Sequence, residues 1–194
     1  AIPDGDVLAV AAEQDPAPPE PAARVGRGRE ERAAVDVRRP GREHDRPTIG
    51  LMATASTTVG ANVVKRQYGY DGAGVGVAVI DSGVASWHDD LTATSNSPYA
   101  NGGQRVSAFV DFVGGASQPY DDNGHGTHVS GIIAGNGYDS GGSRAGIAPG
   151  AHLVSLKVLD AQGRGVVSDV ISALDWAVEN RTSHNIRIIN LSVG

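Results

Sequence analysis

Three short runs rich in β-branched residues decide what this chain can fold into: GVGVAVIDSGV at residues 74–84, HLVSLKVLD at 152–160 and IRIINLSVG at 186–194. The first is continuous rather than alternating and bounded by glycines, which marks a strand buried on both faces. Helical spacing fills the intervals. HGTHVSGIIAG places Val129, Ile132 and Ile133 on one face. VVSDVISALDWAVEN does the same with Val170, Ile171, Leu174, Ala177 and Val178, and Ser168 stands where a cap is wanted. Strand, helix, strand at this spacing is a βαβ unit, so the sheet should be parallel, with helices on its faces.

The first fifty residues have a different character. QDPAPPEPAARVGRGREERAAVDVRRPGREHDRP has scarcely an aliphatic residue larger than Val, and its arginines interleave with Glu20, Glu30, Glu31, Asp36, Glu43 and Asp45. Such a stretch buries too little apolar area to offset the entropy of ordering it, roughly 1–2 kcal/mol per residue. Residues 1–55 therefore read as a tail or linker, and residues 56–194 as the folded part. An Arg/Ala/Pro/Gly-rich stretch without lysine is also what a GC-rich gene gives when read from a wrong start.

The net charge of −6 argues against nucleic acid or an anionic membrane as the partner. With no cysteine, thiol catalysis, disulfides and Cys-ligated zinc are excluded. No apolar run approaches the ~20 residues needed to cross a bilayer. In parallel sheets function collects at the carboxyl ends of strands, and Asp81 stands at such an end. A lone Asp there is more often a turn residue. The second candidate is the stretch DDNGHGTHVSGIIAG, with two histidines, His125 and His128, on one short helix. Periodicity does not choose between them. A zinc reading is weak, because zinc-protease helices space the pair at i, i+4 around a glutamate.

Together, VAVIDSGV and DDNGHGTHVSGIIAG, in this order, strongly resemble the subtilisin-like serine proteases. The resemblance runs from about residue 68 to 194. It includes WHDDL, GIAPGAHLVSLKVLDAQGRG, the SDVISALDWAVEN helix and the terminal NLSVG. It implies the N-terminal part of a three-layer subtilisin-like α/β domain and a serine endopeptidase activity. By resemblance Asp81 is the carboxylate that orients the base, His125 is the base, and His128 is a packed, hydrogen-bonded structural neighbour. The remaining histidines, His44, His88, His152 and His184, are surface or packing residues.

The resemblance also implies that an extended substrate adds as a strand beside Gly163, Arg164 and Gly165, with Leu159 lining a pocket and Ser192, Val193 and Gly194 on the opposing edge. Arg164 stands where the family often has a small residue, which suggests a preference for acidic groups on the substrate. WHDDL departs from the commoner His-Pro-Asp-Leu form at Asp89. Structural calcium is common in the family, but no cofactor is evident and no metal ligand is assigned. The expected partners are polypeptide substrates, the expected setting is secreted, and the complete protein is expected to be a monomer.

In that family the oxyanion-hole side chain and the nucleophile come later in the chain. No Gly-Thr-Ser-Met-Ala-type segment occurs, and the only methionine is Met52. The chain is therefore expected to be inactive alone, with an open sheet edge after IRIINLSVG. The competing reading is a naturally truncated, non-catalytic relative that binds peptides or a protein partner.

Overall fold

A computed structural model describes residues 9–12, 51–92 and 104–193. Its elements run β1 (Ala9–Ala12), α1 (Leu51–Thr58), α2 (Ala61–Tyr68), β2 (Gly76–Asp81), β3 (Val106–Asp111), α3 (His125–Ala134), β4 (His152–Lys157), α4 (Val167–Glu179) and β5 (Ile186–Leu191). The five strands form one parallel sheet in the order β1-β5-β2-β4-β3. β2 and β4 lie inside it and are buried at every position, as their continuous apolar runs require.

The strands' two-residue period divides the core between two faces. Ala78, Ile80, Val154 and Leu156 point to the layer of α4, where they meet Ala173, Ala177 and the flanking Val170 and Leu174. Val77, Val79 and Leu153 point the opposite way, to Val129, Ala134 and the partly buried Ile133 of α3. The result is helix, sheet, helix. The carboxyl ends of β2 and β4 open toward the N-termini of both helices, and the chemistry gathers there.

Several expectations need correction. β5 is not an open edge: it pairs with β2 on one side and with β1 on the other. Thus Ala9–Ala12, within the stretch read as tail or linker, forms a strand, and α1 begins at Leu51 within the same stretch. His44 lies outside the described residues. Strand β3 and helix α2 had no counterpart in the sequence reading. Ser168 does not cap α4: the extended residue before the helix is Val166, with no side-chain cap bond. Ile171 and Val178, two turns apart on one flank of α4, are half exposed, and so is Ile132 of α3. Small residues, Ala173 and Ala177, carry the tightest contact of α4 because they let the helix approach the sheet.

Candidate active site

β2 ends at Asp81, whose side chain is 1% exposed. Its Oδ1 accepts the Ser82 backbone N–H at 2.6 Å and faces His125 Nδ1 at 2.8 Å, while Oδ2 lies 3.0 Å from the same nitrogen. An ionised carboxylate only accepts, so Nδ1 carries the proton and Nε2 is the nitrogen that would take another. Buried acid and partly exposed imidazole thus form an oriented base.

The turn after β2 brings the helix in. Gly83 has φ of +118°, which an L side chain rarely adopts. Gly126, the second residue of α3, rests against this turn so closely that a Cβ there would strike Gly83 O. The first residue of α3, His125, is thereby delivered to Asp81.

Asp121 fastens the junction. Its carboxylate accepts five donors: the Ser82 hydroxyl, the N–H groups of Asn123, Gly124 and Thr127, and the Thr127 hydroxyl. Ser82 Oγ in turn accepts the Gly126 N–H at 2.9 Å. These bonds satisfy N–H groups that the helix start would otherwise leave without partners. Partial burial pushes the Asp121 carboxyl up, but the bonds from Thr127, Gly124 and Ser82 together hold it below the ordinary carboxylate value. Asp111 at the end of β3 behaves alike, burial being outweighed by N–H groups of Gly114, Ala116 and Val113 and by the Tyr120 hydroxyl. Burial first, then the bond to Asp111, pushes Tyr120 up to about 12, so it remains a donor.

The sign of the resulting pH effect is fixed. A depressed folded-state value means the stabilisation is complete above the ordinary Asp value of 3.8 and is lost as pH falls through the depressed value. Asp121→Asn should therefore cost about 1–2 kcal/mol near neutral pH, given partial exposure, and flatten the acid limb below pH ~4. Urea titrations of both proteins at several pH values check this; parallel acid limbs would refute it.

A cavity of about 680 Å³ opens beside the pair, lined by His125 together with Leu159, Gly163, Arg164, Gly165, Ser192 and Val193. Every predicted substrate residue within the described part therefore meets there; Gly194 lies outside the described residues. Asn123, Val166, Val167 and Val170 also line the cavity and had not been singled out for it. The Arg164 guanidinium sits at the exposed rim, bonded to Asp160 at 3.3 Å and Gln162 at 3.2 Å. An acidic substrate group would compete with Asp160 for it.

His128 is not a packed core residue. It lies exposed on the outer side of α3, one turn before the exposed Ile132, because docking through Gly126 turns Val129 and Ser130 inward. His152 is buried, with Nε2 bonded to His184 O at 2.7 Å. His184 stacks on Trp176, and the half-exposed His88 accepts the Asp90 N–H. Among the described residues, no three His, Cys, Asp or Glu side chains converge as a metal site.

The profile described as "Subtilase family" matches residues 72–194. The serine protease AprX of Bacillus subtilis (strain 168) is 36% identical over 154 residues, covering 77% of this chain and 32% of that protein. Subtilisin DY of Bacillus licheniformis is 37% identical over 126 residues, covering 65% of this chain and 39% of its own. Subtilisin E of Bacillus subtilis (strain 168) is 41% identical over 127 residues, covering 65% and 28%. The chain thus spans about a third of the length of these relatives. A crystal structure of a cold adapted subtilisin-like serine proteinase superposes with a TM-score of 0.46 at 36% identity, covering 57% of this chain and 34% of that one.

Proposed function

The chain belongs to the subtilase family, and from that premise we propose that it supplies the acid–base half of a serine endopeptidase. The observation that carries this reading is the Asp81–His125 pair, with Nδ1 fixed on a buried carboxylate and the ring on a cavity wall. In peptide hydrolysis such a pair takes the proton of a serine hydroxyl as it attacks the scissile carbonyl. It then returns the proton to the leaving amine, while the carboxylate stabilises the imidazolium between the two steps. A binding module has no chemical need for that arrangement.

The substrate is a polypeptide in extended form. Gly163 and Gly165 allow close backbone approach along one rim, and Ser192 with Val193 forms the other. Val166, Val167 and Val170 give the cavity an apolar wall, suited to an apolar substrate side chain. Secretion is the setting that fits a protease of this family; no helix among the described residues is long and apolar enough to cross a membrane.

Among the described residues, four serines in or beside these elements do not fit the nucleophile's role. Ser130 and Ser155 are buried in α3 and β4, Ser82 is bound to Asp121, and Ser192 Oγ accepts from Asn190. The 194-residue chain is therefore expected to hydrolyse no peptide bond by itself. Release of fluorescent peptides from labelled casein measures this. Hydrolysis that a serine-directed inhibitor abolishes, and that His125→Ala also abolishes, would overturn the claim of inactivity.

A further inference from the structure

The proton transfers above leave a wholly buried charge at Lys157 unused. Lys157 ends β4 in register with Asp81 of β2 and Asp111 of β3, and its side chain is wholly buried. Its ammonium donates to Ser82 O at 2.6 Å, Leu159 O at 2.7 Å and Asp122 Oδ1 at 2.7 Å. Three acceptors thus match its three N–H donors. The Tyr120 ring lies beneath, 4.8 Å from Nζ to the centroid, and the Tyr120 hydroxyl is anchored on Asp111.

The three acceptors belong to three different pieces of the site. Ser82 follows the acid, Asp122 stands three residues before the base, and Leu159 lies on the cavity rim. Packing alone would favour an aliphatic residue at a wholly buried strand position. A charge there makes sense if its geometry is what is needed, since a fully satisfied buried cation fixes its partners as a greasy side chain cannot.

We propose that Lys157 is a positioning residue. It locks the turn after Asp81, the loop leading into His125 and the Leu159 rim into the one register in which the carboxylate grips Nδ1. This rests on Asp81 and His125 being the catalytic pair.

Proton NMR of the 194-residue chain tests it without any need for turnover. An Nδ1 proton held between imidazole and carboxylate resonates far downfield of ordinary imidazole protons and resists exchange with water. The wild-type chain is expected to show it. Lys157→Met should lose it while circular dichroism and amide dispersion stay native, and Lys157→Arg, which keeps a cation with several donors, should retain it. If Lys157→Met does not fold, Asp122→Ala at the 42% exposed end of the cluster decides, with broadening of the same signal expected. An undiminished signal in the deciding variant overturns the role of Lys157 alone. A wild-type chain lacking the signal overturns it together with the Asp81–His125 reading.

Discussion

Replacing His125 with Ala is expected to lower kcat about 10⁶-fold in any polypeptide that joins residues 72–194 to a nucleophilic serine, the scale measured for loss of the base in a subtilisin. At about 1.4 kcal/mol per tenfold, this is roughly 8 kcal/mol of transition-state stabilisation. The size follows from the geometry. A serine hydroxyl is a weak nucleophile, and in the proposed function His125 is the base, its Nδ1 held by Asp81 in one tautomer. Asp81→Asn should cost about 10⁴-fold instead, because an amide can donate to Nδ1 and so favour the wrong tautomer. The two losses should not multiply: with His125 gone, Asp81 has nothing to orient, so the double variant should match His125→Ala. The ring is a third exposed, so the fold should survive the substitution. Single-turnover kinetics on a peptide ester and a peptide amide, with thermal melts in parallel, measure all three variants. A His125→Ala loss below about tenfold would remove His125 from the role of base.

The parts of this site that the sequence exposed are those where local pattern and chemistry coincide. The strand end at Asp81 was legible because a continuous β-branched run stops at it, whereas the role given to Asp81 came from the family resemblance and not from that pattern. The choice between His125 and His128 was not open to periodicity. It depends on a long-range contact, Gly126 against the Gly83 turn, which rotates His125 toward the carboxylate and His128 toward solvent. Strand β3 escaped notice because it is an edge strand in which only Asp111 is buried, so its apolar signal is diluted by Ser107 and Asp111. Val170 was read as helix face and Val167 was not singled out, yet both line the cavity from the first turn of α4. Lys157 did leave a signal, a lysine inside the apolar run LVSLKVL. A charge in a strand buried on both faces is an anomaly worth following wherever it occurs.

Arg105→Met is expected to abolish cooperative folding or bring it near the edge of stability. Arg105 precedes β3 and is 1% exposed, yet among the described residues no carboxylate forms an ion pair with it. It donates instead to four backbone carbonyls: Thr92 through Nε, Asp90 through Nη2, and Pro149 and Ala151 through Nη1. Burial lowers its pKa, with the charges of Asp90 and Asp71 opposing, but a guanidinium stays protonated at any working pH. Methionine fills much of the volume and satisfies none of the carbonyls. Asp90 O and Thr92 O keep a donor from Asn136, so the Pro149 and Ala151 carbonyls are the ones stranded; at about 1–3 kcal/mol each, their loss reaches the lower end of the whole folding free energy of about 5–15 kcal/mol. The expected ranking is wild type above Arg105→Lys, which keeps the charge with fewer donors, above Arg105→Met. The consequence reaches the Asp81–His125 pair. The carbonyls of Asp90 and Thr92 that Arg105 holds also accept from Asn136, just past the end of α3, through its backbone and side-chain amides respectively. Helix α3 is thus fixed at both ends, by Asp121 and Ser82 before His125 and by this cluster beyond Ala134. Chemical denaturation of the three proteins, followed by the His125 Nδ1 proton in whichever variants fold, measures stability and site geometry together. An Arg105→Met protein within about 1 kcal/mol of wild type would show that solvent satisfies those carbonyls equally well.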